Sequence, residues 1–360
     1  RSLLFFFLSS STASACTQSD GARFETGACG IFGVDDPVPV PDSCETVVAG
    51  DGDSARVFAV GAVIRYAEMT DYASFCTAWD DVVRTEVLPC LATDKPNLLV
   101  FPENATLAAA FVGSRGAASR EATRSLDAFL ALIGPYETPF KYYGRAYPEA
   151  SLNARLVISL TDTLHRAFQT FAEIAKQYEV YVAVSSDFAP AERSDDPEHI
   201  AALADPDLED PQSVFVASEG AAYNWGIYFD PKGEEIGRVA KSYLVPDEED
   251  LLSLTHGPLE QARPVVLPFA RTGMVISKDA WMPGLLERLD ALGAQIMLQP
   301  EAFSGWGVEE LEGDWLPDIV RQSGWGHTQR HAGFRHNVTP CIKGNLFELV
   351  YDCQSHVTKD

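Results

Sequence analysis

Positive charge is scarce in this chain. Lys and Arg total 27, only eight of them Lys, against 52 Asp and Glu, which leaves a net charge of −25 at neutral pH. That balance excludes nucleic acid and anionic membrane surfaces as partners, because their phosphates would be repelled. It fits a solvated acidic surface that keeps the molecule soluble, or a secreted or salt-adapted protein. Long apolar runs are missing as well. The one at the amino terminus, Leu3-Leu4-Phe5-Phe6-Phe7-Leu8, is far too short to span a bilayer. There is no Gly-x-x-x-x-Gly-Lys phosphate loop and no dinucleotide fingerprint. Metal-binding patterns are absent too: His327 and His331 are four apart and would share a helix face, but no Glu-x-x-His or Cys-x-x-Cys accompanies them. They read as a solvated or core-edge pair.

What is present begins with 46% hydrophobic residues, enough to exclude disorder as the dominant state. The basic, apolar and then small-residue start, through Ala13-Ser14-Ala15-Cys16, describes a secretory signal peptide over residues 1–15. Cleavage after Ala15 is one outcome, and lipid attachment to Cys16 is the alternative. The expected location is therefore secreted, periplasmic or extracellular. Six further cysteines suit an oxidising compartment. Cys29 and Cys44 bracket a loop, and Cys341 and Cys353 could join two late segments. Cys76 and Cys90 fall on one expected helix, about 21 Å apart by helical rise, so they cannot pair with each other unless it breaks.

Residues 16–55 are rich in turn signals such as Asp35-Asp36-Pro37 and Gly50-Asp51-Gly52 and read as a loop-rich leader. From residue 56 onward strands and helices alternate. Val57–Val63 and Asn97–Phe101 read as buried strands. Between them Tyr72, Cys76, Trp79, Val83, Val87 and Cys90 make one helical face that Pro89 ends. Leu164, Phe168, Phe171, Ile174 and Tyr178 form a second helical stripe, with Asp162 as its expected N-cap. Strands are expected at 180–184, 214–216, 225–229, 235–240, 273–277 and 295–298, a helix at 284–292, and a polar surface insertion at 189–212. Repeated strand–helix units buried on both sides mean an α/β sandwich. Asn104 and Asn337 each begin a glycosylation triplet, but Asn104 abuts Glu103 and should be buried, and Pro340 directly after the second triplet disfavours its use.

Three segments carry candidate chemistry. Glu103 closes Leu98-Leu99-Val100-Phe101-Pro102-Glu103, Lys241 follows a hairpin-like stretch from Tyr223, and Ser277 sits in Gly273-Met274-Val275-Ile276-Ser277-Lys278-Asp279. Singly, each has an ordinary reading as a surface charge, a solvated cation or a satisfied hydroxyl. Their flanks, taken together, resemble the nitrilase superfamily of carbon–nitrogen hydrolases. The family's fragment of Asn, apolar strand and Asp-Pro-x-Gly reads here Asn224 to Gly233. Leu244, Pro246 and Glu249 stand where the family has Leu, Pro and a second Glu. Asp279, Pro283, Gly293-Ala294-Gln295-Ile296 and Pro300 follow the third segment as the family's residues do.

The departures lie beside the chemistry. Ser277 stands where the family has its nucleophilic cysteine, Lys278 replaces an aromatic residue, Gly284 a Glu, and Glu301 a small residue. No cysteine lies between Cys90 and Cys341, so no shift of register restores the thiol.

The resemblance implies an α-β-β-α sandwich over residues 56–360, incomplete at its carboxyl end, paired in a homodimer, and working without cofactor or metal on a small amide or nitrile. It also implies Glu103 as base, Lys241 and the Lys278 N–H as oxyanion stabilisers, Ser277 as nucleophile, and Glu249 orienting the lysine. An alcohol is far harder to ionise than a thiol, so the alternative is a catalytically silent fold that keeps a binding pocket.

Overall fold

The computed structural model describes residues 54–66, 69–303 and 321–359. The leader expected over 1–15, most of the 16–55 segment, and Cys16, Cys29 and Cys44 lie outside them. In chain order, β1 (Arg56–Ala59), β2 (Ala62–Val63), α1 (Tyr72–Val82) and β3 (Asn97–Val100) come first. A helical stretch follows: α2 (Gly113–Arg120), α3 (Ser125–Ala131), α4 (Glu137–Ala146), α5 (Leu152–Ser159) and α6 (Thr161–Gln177). Next are β4 (Tyr181–Phe188), β5 (Ala191–Ser194), α7 (Pro197–Leu203), β6 (Val214–Ala217), β7 (Tyr223–Phe229) and β8 (Glu235–Ala240). Then come β9 (Val265–Leu267), β10 (Ala270–Met274), α8 (Pro283–Ala291), β11 (Ile296–Leu298) and α9 (Gly324–Thr328). The last strands are β12 (His336–Thr339), β13 (Ile342–Leu346), β14 (Leu349–Tyr351) and β15 (His356–Lys359).

Two five-stranded sheets, ordered β1-β3-β4-β7-β8 and β15-β12-β11-β10-β9, form the frame. The residues of each sheet alternate between a shared core and an outer one, as the period of a strand requires. Leu98 and Val100 of β3 meet Met274, Ile276, Leu298 and Val338 from the other sheet. Leu99 and Phe101 point the other way, into a core shared with Trp79 of α1 and Phe171 of α6. On the second sheet Val275 and Met297 turn outward against Leu285, Leu286 and Leu289 of α8. Helix, sheet, sheet, helix is therefore the layer order, the expected α-β-β-α sandwich. The sheets approach closely at Gly226 of β7, where a Cβ would stand 1.9 Å from the Met274 sulfur. Nearby, the Thr272 hydroxyl donates to the Tyr228 oxygen at 3.2 Å across the same gap.

Local detail departs from the sequence reading in several places. The apolar run Val57–Val63 is two strands, because the chain leaves the first sheet at Val60-Gly61 and β2 pairs with β13. Asp162 lies inside α6, not at its cap. Its buried carboxylate accepts from Arg166 and from the Phe215 N–H, both at 2.9 Å, so it ties the helix to β6. The 189–212 insertion is ordered by the β5–β6 hairpin and by α7, whose Asp196 cap accepts from the Glu198 N–H at 2.8 Å. Asn337, by contrast, follows expectation: it is fully buried within β12, which leaves no room for a glycan. From α1 the helical path runs unbroken through a π-helical turn and a 3-10 turn to Cys90. Cys76 and Cys90 are each disulfide-bonded, and that path keeps them too far apart to bond each other. Cys341 and Cys353 are bridged, with Cα atoms 5.7 Å apart.

Trp79, Phe101 and Phe171 pack edge to face, with centroids 5.0–5.6 Å apart, directly beneath the turn that carries Glu103. Phe171→Ala should cost about 3–5 kcal/mol of stability in urea unfolding, because the two remaining rings cannot close the cavity without moving β3.

Candidate active site

β8 runs parallel to β3 in the first sheet, since two antiparallel steps, β4 to β7 and β7 to β8, restore the direction. The strands' carboxyl ends therefore open on one side. Glu103 follows β3 there, and Lys241 follows β8. Lys241 is 1% exposed, and its ammonium donates to Glu103 Oε1 at 2.8 Å and to Glu248 Oε1 at 2.8 Å. Asn224, at the start of β7, spans the same pair: its Nδ2 donates to Glu103 Oε1 at 2.8 Å and to Glu248 Oε1 at 2.9 Å. Its carbonyl also accepts from the Lys241 N–H at 2.8 Å, which fixes the lysine backbone. The second oxygen of Glu103 accepts from the Ala302 N–H at 3.2 Å, a contact with the chain leaving the second sheet.

Ser277 begins a 3-10 turn, Ser277–Trp281, just beyond β10. Its φ is +46°, a left-handed conformation that costs a non-glycine residue roughly 1–2 kcal/mol. Two anchors hold it: the Ser277 N–H donates to the Pro300 carbonyl at 3.1 Å, and Asp279 is buried two residues on. The Asp279 carboxyl accepts from the N–H groups of Ser242 (3.1 Å) and Tyr243 (2.9 Å). It thus ties the serine turn to the residues after Lys241. Glu103, Lys241, Glu248 and Ser277 all line one cavity of about 670 Å³.

Two sequence-selected residues are placed differently from Glu103, Lys241 and Ser277. Glu249 does not reach the lysine. It is exposed and pairs with His256 Nε2 at 3.2 Å, while Glu248 turns inward and its other oxygen accepts from the Val245 N–H at 2.8 Å. The reason is rotational: in the helical turn Asp247–Leu251 successive side chains point in different directions, and only one of four consecutive acids can face the core. Lys278 lines the cavity, but its ammonium is engaged with the Leu244 carbonyl. Its N–H belongs to the first turn of the 3-10 segment, where amides lack acceptors within the turn.

The sequence reading did not select Asp187, Asn224 or Glu248, and it counted Glu301 only as a departure. Asp187 lies near the end of β4, paired in register with Asn224, and lines the cavity. Glu301 follows β11 and is buried; its Oε1 accepts from Gln299 Nε2 at 2.7 Å, and its carboxyl lies toward the Ser277 hydroxyl.

One cation thus faces several buried acids. Burial works against the Lys241 ammonium, but Glu103 and Glu248 outweigh it and hold its pKa above the ordinary lysine value. Burial raises the Glu103 carboxyl, against the pull of Lys241. Burial also pushes Glu301 up to about 8, with Glu103 adding to the effect. Asp279 rises to about 7 through burial, although its backbone N–H partners oppose this. His327 and His331 lie with rings 5.6 Å apart, and His331 Nδ1 faces Asp290 at 3.4 Å. Among the described residues no group of three or more His, Cys, Asp or Glu is placed to hold a metal, and no helix is long and apolar enough to cross a membrane.

No curated protein matches the chain. Similar solved structures include a mutant of the amidase from Nesterenkonia sp. AN1 carrying acrylamide added at its active site cysteine. It shares 14% identity, with 85% of this chain and 84% of that one covered and a TM-score of 0.47. A carbon-nitrogen hydrolase from Helicobacter pylori G27 shares 14% identity over 85% and 81% of the two chains, with a TM-score of 0.46. A further mutant of the Nesterenkonia amidase, described as of the nitrilase superfamily, shares 16% identity over 85% and 82%, with a TM-score of 0.48. The carbon-nitrogen hydrolase family profile matches residues 95–338, which hold Glu103, Lys241, Glu248 and Ser277 alike, and the chain belongs to that family.

Proposed function

We propose that the protein hydrolyses a carbon–nitrogen bond in small amides or nitriles through a Glu-Lys-Ser site, with Ser277 in the nucleophile's place. The observation that carries this reading is the buried Glu103–Lys241–Glu248 cluster lining a cavity that Ser277 also lines. For an amide, Glu103 takes the Ser277 hydroxyl proton as the oxygen attacks the carbonyl carbon. The oxyanion that forms is stabilised by the Lys241 ammonium and the Lys278 N–H. Collapse breaks the C–N bond; the amine leaves with the proton from Glu103, and water then releases the acid from the serine ester. A carboxylate whose pKa is raised by burial is a stronger base than a solvated one, which favours this role for Glu103. Glu248, in the place expected of Glu249, holds the lysine. The Cys341–Cys353 bridge supports an oxidising, secreted setting.

One observation favours a second reading, a silent family member that binds amides without cleaving them. Glu103 and Glu248 favour the charged form of Lys241, and burial pushes the Glu301 carboxyl beside Ser277 up to about 8, which leaves Glu103 as the group to ionise an alcohol.

Ser277→Cys separates the two. The cysteine variant should form an acyl adduct at residue 277 with a simple amide or activated ester, detected by mass spectrometry, because the same charges ionise a thiol readily. The wild type should give a weak adduct. A wild-type adduct excludes the silent reading, whereas no adduct in either protein across a broad panel excludes catalysis. In the cysteine variant, Glu248→Gln should slow acylation by about tenfold or more, since it removes a charge-assisted bond to Lys241. Glu249→Gln should leave the rate unchanged.

A further inference from the structure

Asp187 takes no part in the Ser277 reaction. It is 6% exposed, yet it lines the cavity, and its Oδ1 has no hydrogen-bond partner among the described residues. A buried carboxyl oxygen without a partner costs free energy. Its place in β4 makes its absence of a partner notable. It pairs in register with Asn224, whose side chain touches both Glu103 and Glu248, so Asp187 stands at the reacting end of the cavity. There Glu103, Glu248 and Asp187 share one cation, Lys241. Burial pushes the Asp187 carboxyl well above the usual carboxylate range, and Glu248 and then Glu103 add to the effect. A cation seated beside it would remove that penalty. The same cavity is also lined by apolar side chains, Phe111, Phe129, Leu252, Trp281 and Phe347 among them.

We propose that Asp187 is a specificity residue that receives a protonated amine, so that the cavity selects amides of amine-bearing acids with an apolar side chain. The ammonium lies near the scissile carbonyl, against Asp187, and the side chain lies along the apolar lining. This rests on the amide-hydrolase reading, since it assigns the carbonyl to Ser277 and Lys241. Asp247 and Lys278 also line the cavity, but Asp247 is solvent-exposed and Lys278 is bonded to a backbone carbonyl. Asp247 therefore offers the amine no buried counter-charge, and Lys278, a cation itself, can offer none.

A matched pair of probes tests it: phenylalanine amide and 3-phenylpropanamide, which lacks only the amine. Both are titrated calorimetrically into the Ser277→Ala protein, at a pH where the amine is protonated. The amine-bearing amide should bind about tenfold tighter or more, the worth of one charge-assisted hydrogen bond in a buried site. Asp187→Asn in the same background should bring the ratio to about one with the neutral amide's affinity retained. Equal affinities, tighter binding of the neutral amide, no binding of the amine, or a ratio that survives Asp187→Asn would overturn the proposal. The first comparison needs no change at Asp187, so it decides even if the Asn variant fails to fold. Wild-type turnover separates the two readings. If the ratio holds but neither amide is cleaved, the subsite stands and the Ser277 reaction fails. If the neutral amide is cleaved but no ratio appears, the subsite alone fails.

Discussion

A primary ammonium buried at the junction of two sheets is the constraint from which the rest of the site follows. Taking Lys241 out of water carries a penalty of several kcal/mol that only close, hydrogen-bonded counter-charges can offset. Glu103 and Glu248 each meet it at 2.8 Å. Neither carboxylate can be removed without stranding charge, and the loss of one partner of such a buried pair typically costs about 3–5 kcal/mol. The cluster is therefore a structural knot as well as the centre of the proposed chemistry. Its members come from the ends of β3 and β8 and from the acidic turn after Pro246, so forming it sets the spacing of three chain segments.

Asn224 and Asp279 extend that knot into the surrounding chain. Asn224 bonds both carboxylates with one amide nitrogen and the lysine backbone with its carbonyl, which leaves the first-sheet side of the site little freedom. Asp279 does the equivalent for the second sheet, since its carboxyl receives the N–H groups that follow Lys241 while its own turn carries Ser277. The strained backbone at Ser277 persists because both ends of its turn are held. Catalytic groups on rigid strand ends, braced by further hydrogen bonds, are what acyl transfer requires. The same rigidity suits a site that binds without turnover, and for that reason the nucleophile's chemistry, not its placement, separates the two readings.

The fold was legible because it is written in alternation and helical stripes. Leu98 and Val100 against Leu99 and Phe101, and the apolar face of α6, each specify a layer. Glu103 and Lys241 could be selected because strand ends and turn residues flank them. Glu248 could not: in Asp247-Glu248-Glu249-Asp250 nothing local distinguishes neighbours, and the choice depends on how one helical turn rotates against Lys241. Asp187 was hidden for a different reason. The apolar run ends at Val184, so Ser185-Ser186-Asp187 reads as an exit to solvent. In the fold β4 continues to Phe188 and stays covered. Asp162 misled in the same direction, because a carboxylate at a helix start suggests a cap while tertiary packing gave it Arg166 and β6.

The charge of Lys241 decides how the site works, and it can be observed directly. In protein labelled with ¹⁵N-lysine, the Lys241 Nζ resonance can be followed by NMR as pH is raised. If Glu103 and Glu248 outweigh burial, the nitrogen keeps its proton beyond the pH at which the exposed lysines titrate, with an ammonium shift up to alkaline unfolding. A resonance that titrates below the exposed lysines, or one already neutral at pH 7, would mean that burial wins. The site would then hold a neutral amine able to deprotonate Ser277, which would contradict Glu103 as the base and Lys241 as the oxyanion stabiliser.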